Sequence, residues 1–219
     1  MTRFKICGLR DSDNAVVAAE SGADFLGFNF VPGARRRLEV ERAKEIVAEY
    51  RRRRGQGGPE LFGLFADQPV EEVNRIVREV GLDRAQLCGD EPPDYWDRVD
   101  APVVKQIKVR DDDRNQVVAE TDARIHEVQE QGSTPMLDKY VEGHKGGSGR
   151  TFDWTIAAEV ARDYDFMLAG GLTRENVGEA ITTVGPWAVD VSSGVETDGV
   201  KDAAKIRDFA EAVKRADGR

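Results

Sequence analysis

Short apolar runs alternate with longer amphipathic stretches along this chain of 219 residues. The short runs have the length and composition of buried strands, and they lie at residues 4–6, 25–30, 61–65, 85–87, 103–107, 135–137, 166–168 and 188–191. The longer stretches repeat apolar positions at helical spacing, at residues 15–20, 39–54, 69–80, 95–99, 111–131, 153–162, 174–184 and 201–215. The pattern therefore predicts eight strands, each followed by a helix.

Eight strand–helix units without a linker-like gap predict one closed parallel barrel. Strict alternation excludes all-α and all-β folds, and the count of units matches the (β/α)8 architecture. We therefore expect an α/β fold, a single (β/α)8 TIM barrel that occupies residues 1–219 as one domain. An open doubly wound sheet is the alternative. It would normally carry a GxGxxG motif after the first strand, where this chain has Cys7-Gly8-Leu9-Arg10 instead.

The composition excludes several classes of protein. No apolar run approaches the roughly 18–20 residues that span a bilayer, and residues 1–5 lack the apolar segment of a signal peptide. We therefore expect no membrane partner and a cytoplasmic location. The two cysteines, Cys7 and Cys88, belong to no CxxC pair, and both histidines lie in polar stretches. A metal site is therefore not expected.

The charge balance is acidic, since 41 Asp and Glu against 32 Lys and Arg give a net charge of −9. A negative surface repels phosphate backbones, so we expect no nucleic-acid partner. The arginines at residues 51–54 are a local exception, and at a helix C-terminus they complement the helix dipole. The scarcity of Lys, 9 residues against 23 Arg, together with the acidic excess favours adaptation to high salt, with ordinary solubility as the alternative.

In a barrel of this class, chemistry takes place at the carboxyl ends of the strands and in the loops that follow them. That rule selects a short list of candidate residues from the sequence. They are Cys7, Asn29, Arg36, Cys88, Lys105, Asp138, Gly170, Gly171 and the segment 190–194.

Small residues follow the seventh and eighth strands directly. Gly170 and Gly171 stand in one loop, and Ser192, Ser193 and Gly194 stand in the other. Such residues let backbone N–H groups approach an anion closely, and these two loops often hold a phosphate in such barrels. We therefore predict a phosphate site, although tight turns alone would also use these glycines. The Gly-rich segment 146–149 is either a lid on the phosphate side or a flexible loop.

Cys7 and Asp138 form a candidate acid–base pair. A thiolate can act as a base if a neighbouring cation lowers the pKa of the thiol, and Lys5 lies on the same face of the first strand. A carboxylic acid on the opposite wall of the barrel mouth could deliver a proton to a leaving oxygen. The alternatives are that Cys7 is a small buried apolar residue and that Asp138 is a capping residue.

Seven blocks of the chain resemble the phosphoribosylanthranilate isomerase family of tryptophan biosynthesis. They are residues 5–8 (KICG), 22–28 (GADFLGF), 86–87 (QL), 137–138 (LD), 146–154 (GGSGRTFDW), 170–177 (GGLTRENV) and 188–196 (AVDVSSGVE). Each block is moderately specific, but the order and spacing together are highly specific. The resemblance runs from residue 3 to about residue 213, which is nearly the whole chain.

The resemblance implies a single (β/α)8 barrel that performs an Amadori rearrangement without metal or cofactor. It implies that Asp138 is the general acid, which protonates the ribose ring oxygen, and that Cys7 is the general base, which removes the C2′ proton. The product is 1-(2-carboxyphenylamino)-1-deoxyribulose 5-phosphate. Arg36 would bind the anthranilate carboxylate, Asp190 would face the sugar, and the two small-residue loops would hold the phosphate. Lys5 is expected beside them at the barrel mouth.

Two departures from the family pattern leave roles open. Many relatives read Gln-Leu-His-Gly after the fourth strand, whereas this chain has Cys88 in place of the histidine. We interpret Cys88 as a structural substitute and not as a second base. Arg35 and Arg37 flank Arg36, so the choice of the arginine that binds the carboxylate is open by one position.

Two other functions compete with this hypothesis. Another phosphosugar isomerase or epimerase on the same barrel would share the phosphate loops without needing Arg36. A non-catalytic phosphosugar-binding barrel would need neither Cys7 nor Asp138, so the presence of both argues against it. The expected partner is a small molecule, a phosphorylated sugar attached to anthranilate, and the expected assembly is a monomer or a homodimer.

The salt hypothesis predicts that potassium chloride stabilises the protein, because added ions screen repulsion among its carboxylates. We expect Tm, followed by circular dichroism, to rise between low salt and about molar salt. A Tm that stays level or falls would show that the acidic excess serves solubility alone.

Overall fold

Eight parallel strands close into a barrel in the computed structural model, which describes residues 1–55, 57–110, 113–139 and 153–218. The strands are β1 (Arg3–Cys7), β2 (Phe25–Asn29), β3 (Glu60–Phe65), β4 (Arg84–Leu87), β5 (Val103–Val109), β6 (Thr134–Lys139), β7 (Met167–Leu168) and β8 (Ala188–Val191). Each strand pairs with the next in the chain, and β8 returns to pair with β1. The predicted (β/α)8 fold is thereby confirmed.

One helix follows each barrel strand. The helices are α1 (Ser12–Glu20), α2 (Val40–Arg54), α3 (Val70–Val80), α4 (Pro93–Trp96), α5 (Arg114–Glu130), α6 (Trp154–Val160), α7 (Val177–Val184) and α8 (Ala203–Ala216). In α3 the apolar side chains Val73, Ile76, Val77 and Val80 recur at helical spacing, and all four are buried. Helix α3 therefore forms because it has one apolar stripe to bury.

Four of the helices begin at an aspartate that caps them. Asp11, Asp113, Asp153 and Asp202 each accept a hydrogen bond from a backbone N–H of the first turn, as Asp11 does from Asn14 at 2.7 Å. These carboxylates satisfy N–H groups that have no partner within the helix and favour the positive end of its dipole. Part of the acidic composition is thus used to start helices.

The predicted strands and helices are present in the predicted order, and the differences lie at their ends. The helix predicted at 95–99 is instead the single turn α4, which ends at Trp96. Helix α7 begins three residues later than predicted, because residues 174–176 form a turn in which Asn176 Oδ1 accepts from the Thr173 N–H at 2.8 Å. Helix α5 begins at Arg114, and residues 111 and 112 of its predicted span lie outside the described residues.

A hairpin between β8 and α8 was not predicted. A 3-10 turn at Ser193–Val195 leads into strands β9 (Glu196–Thr197) and β10 (Val200–Lys201), which pair antiparallel. The prediction that a helix begins at residue 201 was therefore wrong for Lys201, which ends β10 with a buried side chain. Strands of two residues are too short to produce a periodic pattern in the sequence.

The core has two layers, one outside the barrel and one inside it. The outer layer packs the helices against the sheet, and the inner layer fills the barrel. The inner layer includes Phe25 and Phe62, whose ring centroids lie 5.1 Å apart. Polar side chains such as Lys5, Gln86 and Gln106 are also buried inside the barrel, where they need polar partners. The barrel interior therefore combines an apolar layer with buried polar side chains that can form a site.

Charged side chains on the outer helices pair with one another. Arg52 pairs with Glu49 at 2.7 Å, Arg53 and Arg54 reach acidic residues of α1, and Arg51 donates to a backbone carbonyl. Each of the four arginines at the end of α2 therefore has a hydrogen-bond or ion-pair partner. The run at residues 51–54 is thus not a free cationic patch. No helix in the described part of the chain is long and apolar enough to cross a membrane.

Two glycines give opposite predictions for the same substitution. A Cβ at Gly63, in β3, would lie 2.5 Å from Leu82 Cδ1 and 2.8 Å from the Phe65 ring, so Gly63→Ala should lower the free energy of unfolding by about 1–3 kcal/mol. A Cβ at Gly178, in α7, would meet nothing within 4 Å, so Gly178→Ala should leave it unchanged or raise it by up to about 1 kcal/mol. Urea unfolding measures both, and equal effects would contradict the packing described here.

Candidate active site

The carboxyl ends of the barrel strands surround a cavity of about 530 Å³. Cys7 from β1, Asp138 from β6 and Asp190 from β8 line it, together with Arg36 from the loop after β2 and Ser192 from the loop after β8. These five were candidates on sequence grounds, and barrel closure brings them into one cavity. The other lining residues are Gly8, Asn29, Val31, Pro32, Gly33, Ala34, Arg35, Leu64, Gln86, Cys88, Gln106 and Met136.

Lys5 lies at the base of this site and is fully buried. Its Nζ donates to Gln86 Oε1 at 2.5 Å and lies 3.0 Å from Asp190 Oδ1, which is its register partner across the β1–β8 pair. Burial lowers the pKa of Lys5, but the charge of Asp190, the charge that Cys7 carries when ionised and the hydrogen bond with Asp190 together outweigh burial, so the pKa is raised and Lys5 stays charged. Lys5 is not among the cavity-lining residues, so a direct contact with a ligand stays a prediction.

Cys7 ends β1 with its thiol buried against the cavity. Burial and the negative charge of Asp190 raise the pKa of the Cys7 thiol to about 11, although Lys5, Lys201 and Arg36 lower it. The expected lowering by Lys5 is therefore present but is outweighed. The unliganded site holds Cys7 as a neutral thiol near neutral pH, which becomes a strong base once it is ionised.

Asp138 is held by two hydrogen bonds at the end of β6. Its Oδ2 accepts from Gln106 Nε2 at 2.6 Å, and its Oδ1 accepts from the Lys139 N–H at 2.8 Å. Burial and the charge of Asp190 raise the pKa of Asp138 to about 6, against the lowering effect of those hydrogen bonds. A fraction of Asp138 is therefore protonated near neutral pH, as a general acid requires.

Arg36 is the buried arginine of its segment. Its Nε donates to Glu196 Oε1 at 2.6 Å and its Nη2 donates to Glu196 Oε2 at 2.9 Å. The side chain of Arg35 is 59% exposed and also contacts Glu196. Arg37 is exposed, pairs with Glu39 at 3.4 Å and does not line the cavity. Burial and position favour Arg36 as the residue that binds a ligand in the cavity.

The loops after β7 and β8 contact each other beside the cavity. The Cα of Gly194 packs directly on the backbone carbonyl of Leu172, where a Cβ would overlap it. Gly170 has a φ of +95°, and a Cβ there would lie 3.0 Å from Asp138 Oδ1. The glycines therefore permit the two loops to meet and to close on the acid.

Four backbone N–H groups of these two loops have no acceptor in the described part of the chain. They belong to Gly171, Leu172, Ser193 and Gly194. Ser192 Oγ is already used, since it donates to the Cys7 carbonyl at 3.1 Å. Gly170, Gly171, Ser193 and Gly194 do not line the 530 Å³ cavity, and the segment 146–149 lies outside the described residues. Unused N–H groups are what an anion site at this position requires.

Three further candidate residues from the sequence form hydrogen bonds within the protein. Asn29 lines the cavity and accepts from the Val31 N–H at 2.8 Å. Cys88 also lines it and accepts from Gln86 Nε2 at 3.4 Å, while burial raises its pKa to about 12. Lys105 donates to Glu91 Oε2 and to the Gly89 carbonyl, both at 2.6 Å, and its contacts hold the loop after β4. The buried position of Cys88 and its hydrogen bond with Gln86 agree with its interpretation as a structural residue.

Sequence reasoning assigned no role to four polar residues at or beside the site, which are Gln86, Gln106, Glu196 and Lys201. Gln86 and Gln106 are polar positions within buried strands, and this mismatch was the signal that could have identified them. Glu196 and Lys201 lie on the unpredicted hairpin, so no local pattern placed them near Arg36. Among the described residues, no three His, Cys, Asp or Glu side chains come together as metal ligands.

Comparison with known proteins gives full-length similarity. A family model described as N-(5'phosphoribosyl)anthranilate (PRA) isomerase matches residues 4–212. An N-(5'-phosphoribosyl)anthranilate isomerase from Roseiflexus castenholzii is 46% identical over 216 residues, which cover 97% of this chain and 98% of the relative. The chain thus matches the family from one end to the other.

Solved structures show the same similarity in three dimensions. Monomers of the dimeric phosphoribosylanthranilate isomerase from Thermotoga maritima superpose with a TM-score of 0.80 at 31% identity, covering 100% of both chains. A phosphoribosyl anthranilate isomerase in complex with reduced 1-(o-carboxyphenylamino)-1-deoxyribulose 5-phosphate gives 0.80 at 30% identity, again with 100% of both chains covered.

The raised pKa of Cys7 predicts the ionisation state of the unliganded site. Thiolate absorbance near about 240 nm, measured as pH rises, should show no contribution from Cys7 between about pH 6 and about pH 9. The difference between the wild type and Cys7→Ser isolates that contribution, because Cys88 gives the same background in both proteins. A thiolate signal with a midpoint below about pH 8.5 would contradict the dominance of burial and Asp190 over Lys5.

Proposed function

This chain belongs to the N-(5'-phosphoribosyl)anthranilate isomerase family, and from its site we infer the roles of its residues in that reaction. The enzyme converts N-(5'-phosphoribosyl)anthranilate to 1-(2-carboxyphenylamino)-1-deoxyribulose 5-phosphate, an Amadori rearrangement in tryptophan biosynthesis. One observation carries the assignment of roles. A proton donor, a thiol and a buried guanidinium that has unused donors all line the same cavity.

The substrate is oriented by its two anionic ends. The anthranilate carboxylate binds the edge of the Arg36 guanidinium that Glu196 leaves free, because a planar fork suits two carboxylate oxygens. The phosphate binds the unpaired N–H groups of the loops after β7 and β8. The ribose then lies between them, with Asp190 facing it. Another phosphosugar isomerase would share the phosphate loops but would have no use for the free edge of Arg36.

Asp138 starts the reaction as the general acid. Its proton passes to the ribose ring oxygen, and the bond between that oxygen and C1′ breaks as the nitrogen lone pair forms a C=N bond. The ring opens to a protonated Schiff base, and Asp138 is left as a carboxylate. A pKa of about 6 leaves part of Asp138 protonated near neutral pH and makes its proton easy to transfer.

Cys7 completes the reaction as the general base. The cationic Schiff base acidifies the C2′ proton, and its positive charge also favours loss of the proton of the adjacent thiol to solvent. Solvent later returns a proton to the Asp138 carboxylate. The thiolate removes the C2′ proton, and the electron pair neutralises the nitrogen to give an enolamine. Tautomerisation of the enolamine gives the ketone product. A thiol with a pKa of about 11 is a strong base in its ionised form, so the substrate's own charge supplies the driving force.

Charge segregation makes an acidic protein suitable for an anionic substrate. At the mouth, Arg35, Arg36 and Lys201 surround the single carboxylate of Glu196. On the outer helices many charges are exposed and form ion pairs, and salt screens them from the mouth. The net charge of −9 therefore does not describe the field that the substrate meets.

We further propose that the protein works in the cytoplasm on this small molecule, as a monomer or a homodimer and without nucleic acid or membrane. The related Thermotoga maritima protein is described as dimeric, with monomers generated from it. In the described part of this chain, the exposed large apolar side chains are Met1 and Val200 alone. So small an apolar surface favours the monomer.

The proposed roles predict that Cys7→Ser and Asp138→Asn each lower kcat by about 10²- to 10⁴-fold or more, since each loses a proton-transfer group. The fall in phosphoribosylanthranilate fluorescence measures turnover. Cys88→Ser is the matched control, because Cys88 is a second buried thiol at the same cavity, and it should retain most of the activity. Circular dichroism establishes that each variant is folded.

Full activity in either Cys7→Ser or Asp138→Asn would refute the role of that residue. A folded wild-type protein that leaves the fluorescence unchanged would refute the proposed activity as a whole.

A further inference from the structure

Glu196 is a buried carboxylate contacted by three cationic side chains. Arg35 lies 2.7 Å from it, Arg36 lies 2.6 Å from it and Lys201 lies 2.7 Å from it. The side chain of Glu196 is only 5% exposed. Burial raises its pKa, but hydrogen bonds from Arg36 and Lys201 outweigh burial and lower the pKa to about 2. Glu196 is therefore ionised at any working pH.

Glu196 occupies one edge of the Arg36 guanidinium and leaves the other unused. A guanidinium has five N–H donors, and Glu196 takes one on Nε and one on Nη2. The remaining three, including both on Nη1, donate to no acceptor among the described residues, although Arg36 is only 8% exposed and lines the cavity. An unpartnered edge on a buried cation is costly unless a ligand fills it.

The hairpin after β8 holds Glu196 in place from behind. Lys201 Nζ donates to Glu196 Oε1 at 2.7 Å and to the Ser192 carbonyl at 2.8 Å. Ser192 Oγ in turn donates to the carbonyl of Cys7. From the other side, the stem of Arg36 packs on Gly8, where a Cβ would lie 2.5 Å from Arg36 Cδ. Contacts on two sides therefore hold Arg36.

We propose that Glu196 is a positioning residue for substrate recognition, which fixes one edge of Arg36 so that the opposite edge is presented to the substrate's carboxylate. This inference rests on the proposed function of the site. Glu196 does not touch the substrate, and its effect passes through the guanidinium. Fixing the rotamer before binding lowers the entropy cost of binding, so Glu196 increases affinity for ligands that carry the aromatic carboxylate.

A displacement model makes the opposite prediction. If Glu196 occupied the place of the substrate carboxylate, binding would have to break both of its hydrogen bonds to Arg36. Removing its charge would then tighten binding of carboxylated ligands. The free Nη1 edge makes such displacement unnecessary, and the Lys201 contact opposes it. The sign of the change on substitution therefore separates the two models.

The test is the affinity of Glu196→Gln for two matched ligands, measured by calorimetry. One is reduced 1-(2-carboxyphenylamino)-1-deoxyribulose 5-phosphate, and the other is the same molecule without the carboxylate. We expect the carboxylated ligand to bind about 10- to 100-fold more weakly, from the loss of a charge-assisted pair, and the other to change less than about twofold. KM for the substrate should rise while kcat changes less than about threefold.

A double-mutant cycle shows whether the effect passes through Arg36. In an Arg36→Ala background, Glu196→Gln should have no further effect on the carboxylated ligand. Glu39→Gln is the matched control, because it breaks the exposed pair with Arg37 in the same segment and should leave both affinities unchanged. Glu196→Asp retains the charge and should recover part of the lost affinity.

A second variant distinguishes disruption of the hairpin from loss of the positioning of Arg36. Glu196→Gln leaves the buried Lys201 without its carboxylate, so Glu196→Gln combined with Lys201→Met removes that unpaired charge. The combined variant should fold with the wild-type circular dichroism spectrum and should show the same selective loss of the carboxylated ligand.

Several outcomes would overturn the inference. They are tighter binding of the carboxylated ligand by Glu196→Gln, equal weakening of both ligands, and full additivity with Arg36→Ala. An Arg36→Ala variant with unchanged affinity would overturn it together with the proposed role of Arg36. If the wild-type enzyme turns over the substrate but the double-mutant cycle shows no coupling between Glu196 and Arg36, this inference alone is overturned. The proposed function then stands.

Discussion

The ion pair between Lys5 and Asp190 is the interaction on which the site depends. It lies across the seam where the first and last strands meet, so it forms only when the barrel closes. Neither charge would be tolerated alone in the interior, because burial penalises an unpaired ion heavily. The pair also sets the chemistry above it. Asp190 raises the pKa of both Cys7 and Asp138, and Lys5 opposes that effect on both.

The site therefore holds a carboxyl group that ionises near neutral pH and a thiol that ionises only at high pH. Asp138 can give up its proton near neutral pH, whereas the Cys7 thiol retains its proton until the environment changes. In the proposed mechanism, ring opening makes the substrate cationic and so changes the environment of the thiol. A positive charge in a low-dielectric cavity favours the thiolate. In the proposed mechanism, the order of the two proton transfers therefore follows from these two pKa values and from the charge that the substrate gains on ring opening.

In the proposed function the loops above the barrel bind the substrate, and glycines permit the close contacts of these loops. Gly8 accommodates the stem of Arg36, and Gly194 lets the loop after β8 lie against Leu172. The hairpin that follows delivers Glu196 and Lys201 to the guanidinium from a different part of the barrel. Three cations thus surround one carboxylate beside the cavity of an acidic protein.

The sequence by itself determined the elements of the barrel and selected the candidate acid, the candidate thiol and the small-residue loops. Strand and helix order follows from local periodicity, and Cys7 and Asp138 were selected because they follow strands. Tertiary structure alone decided the net pKa of Cys7, the exclusion of Lys5 from the cavity surface and the pairing of Arg36 with Glu196. These properties depend on burial and on contacts between residues far apart in the chain, such as Arg36 and Glu196, which no local pattern records.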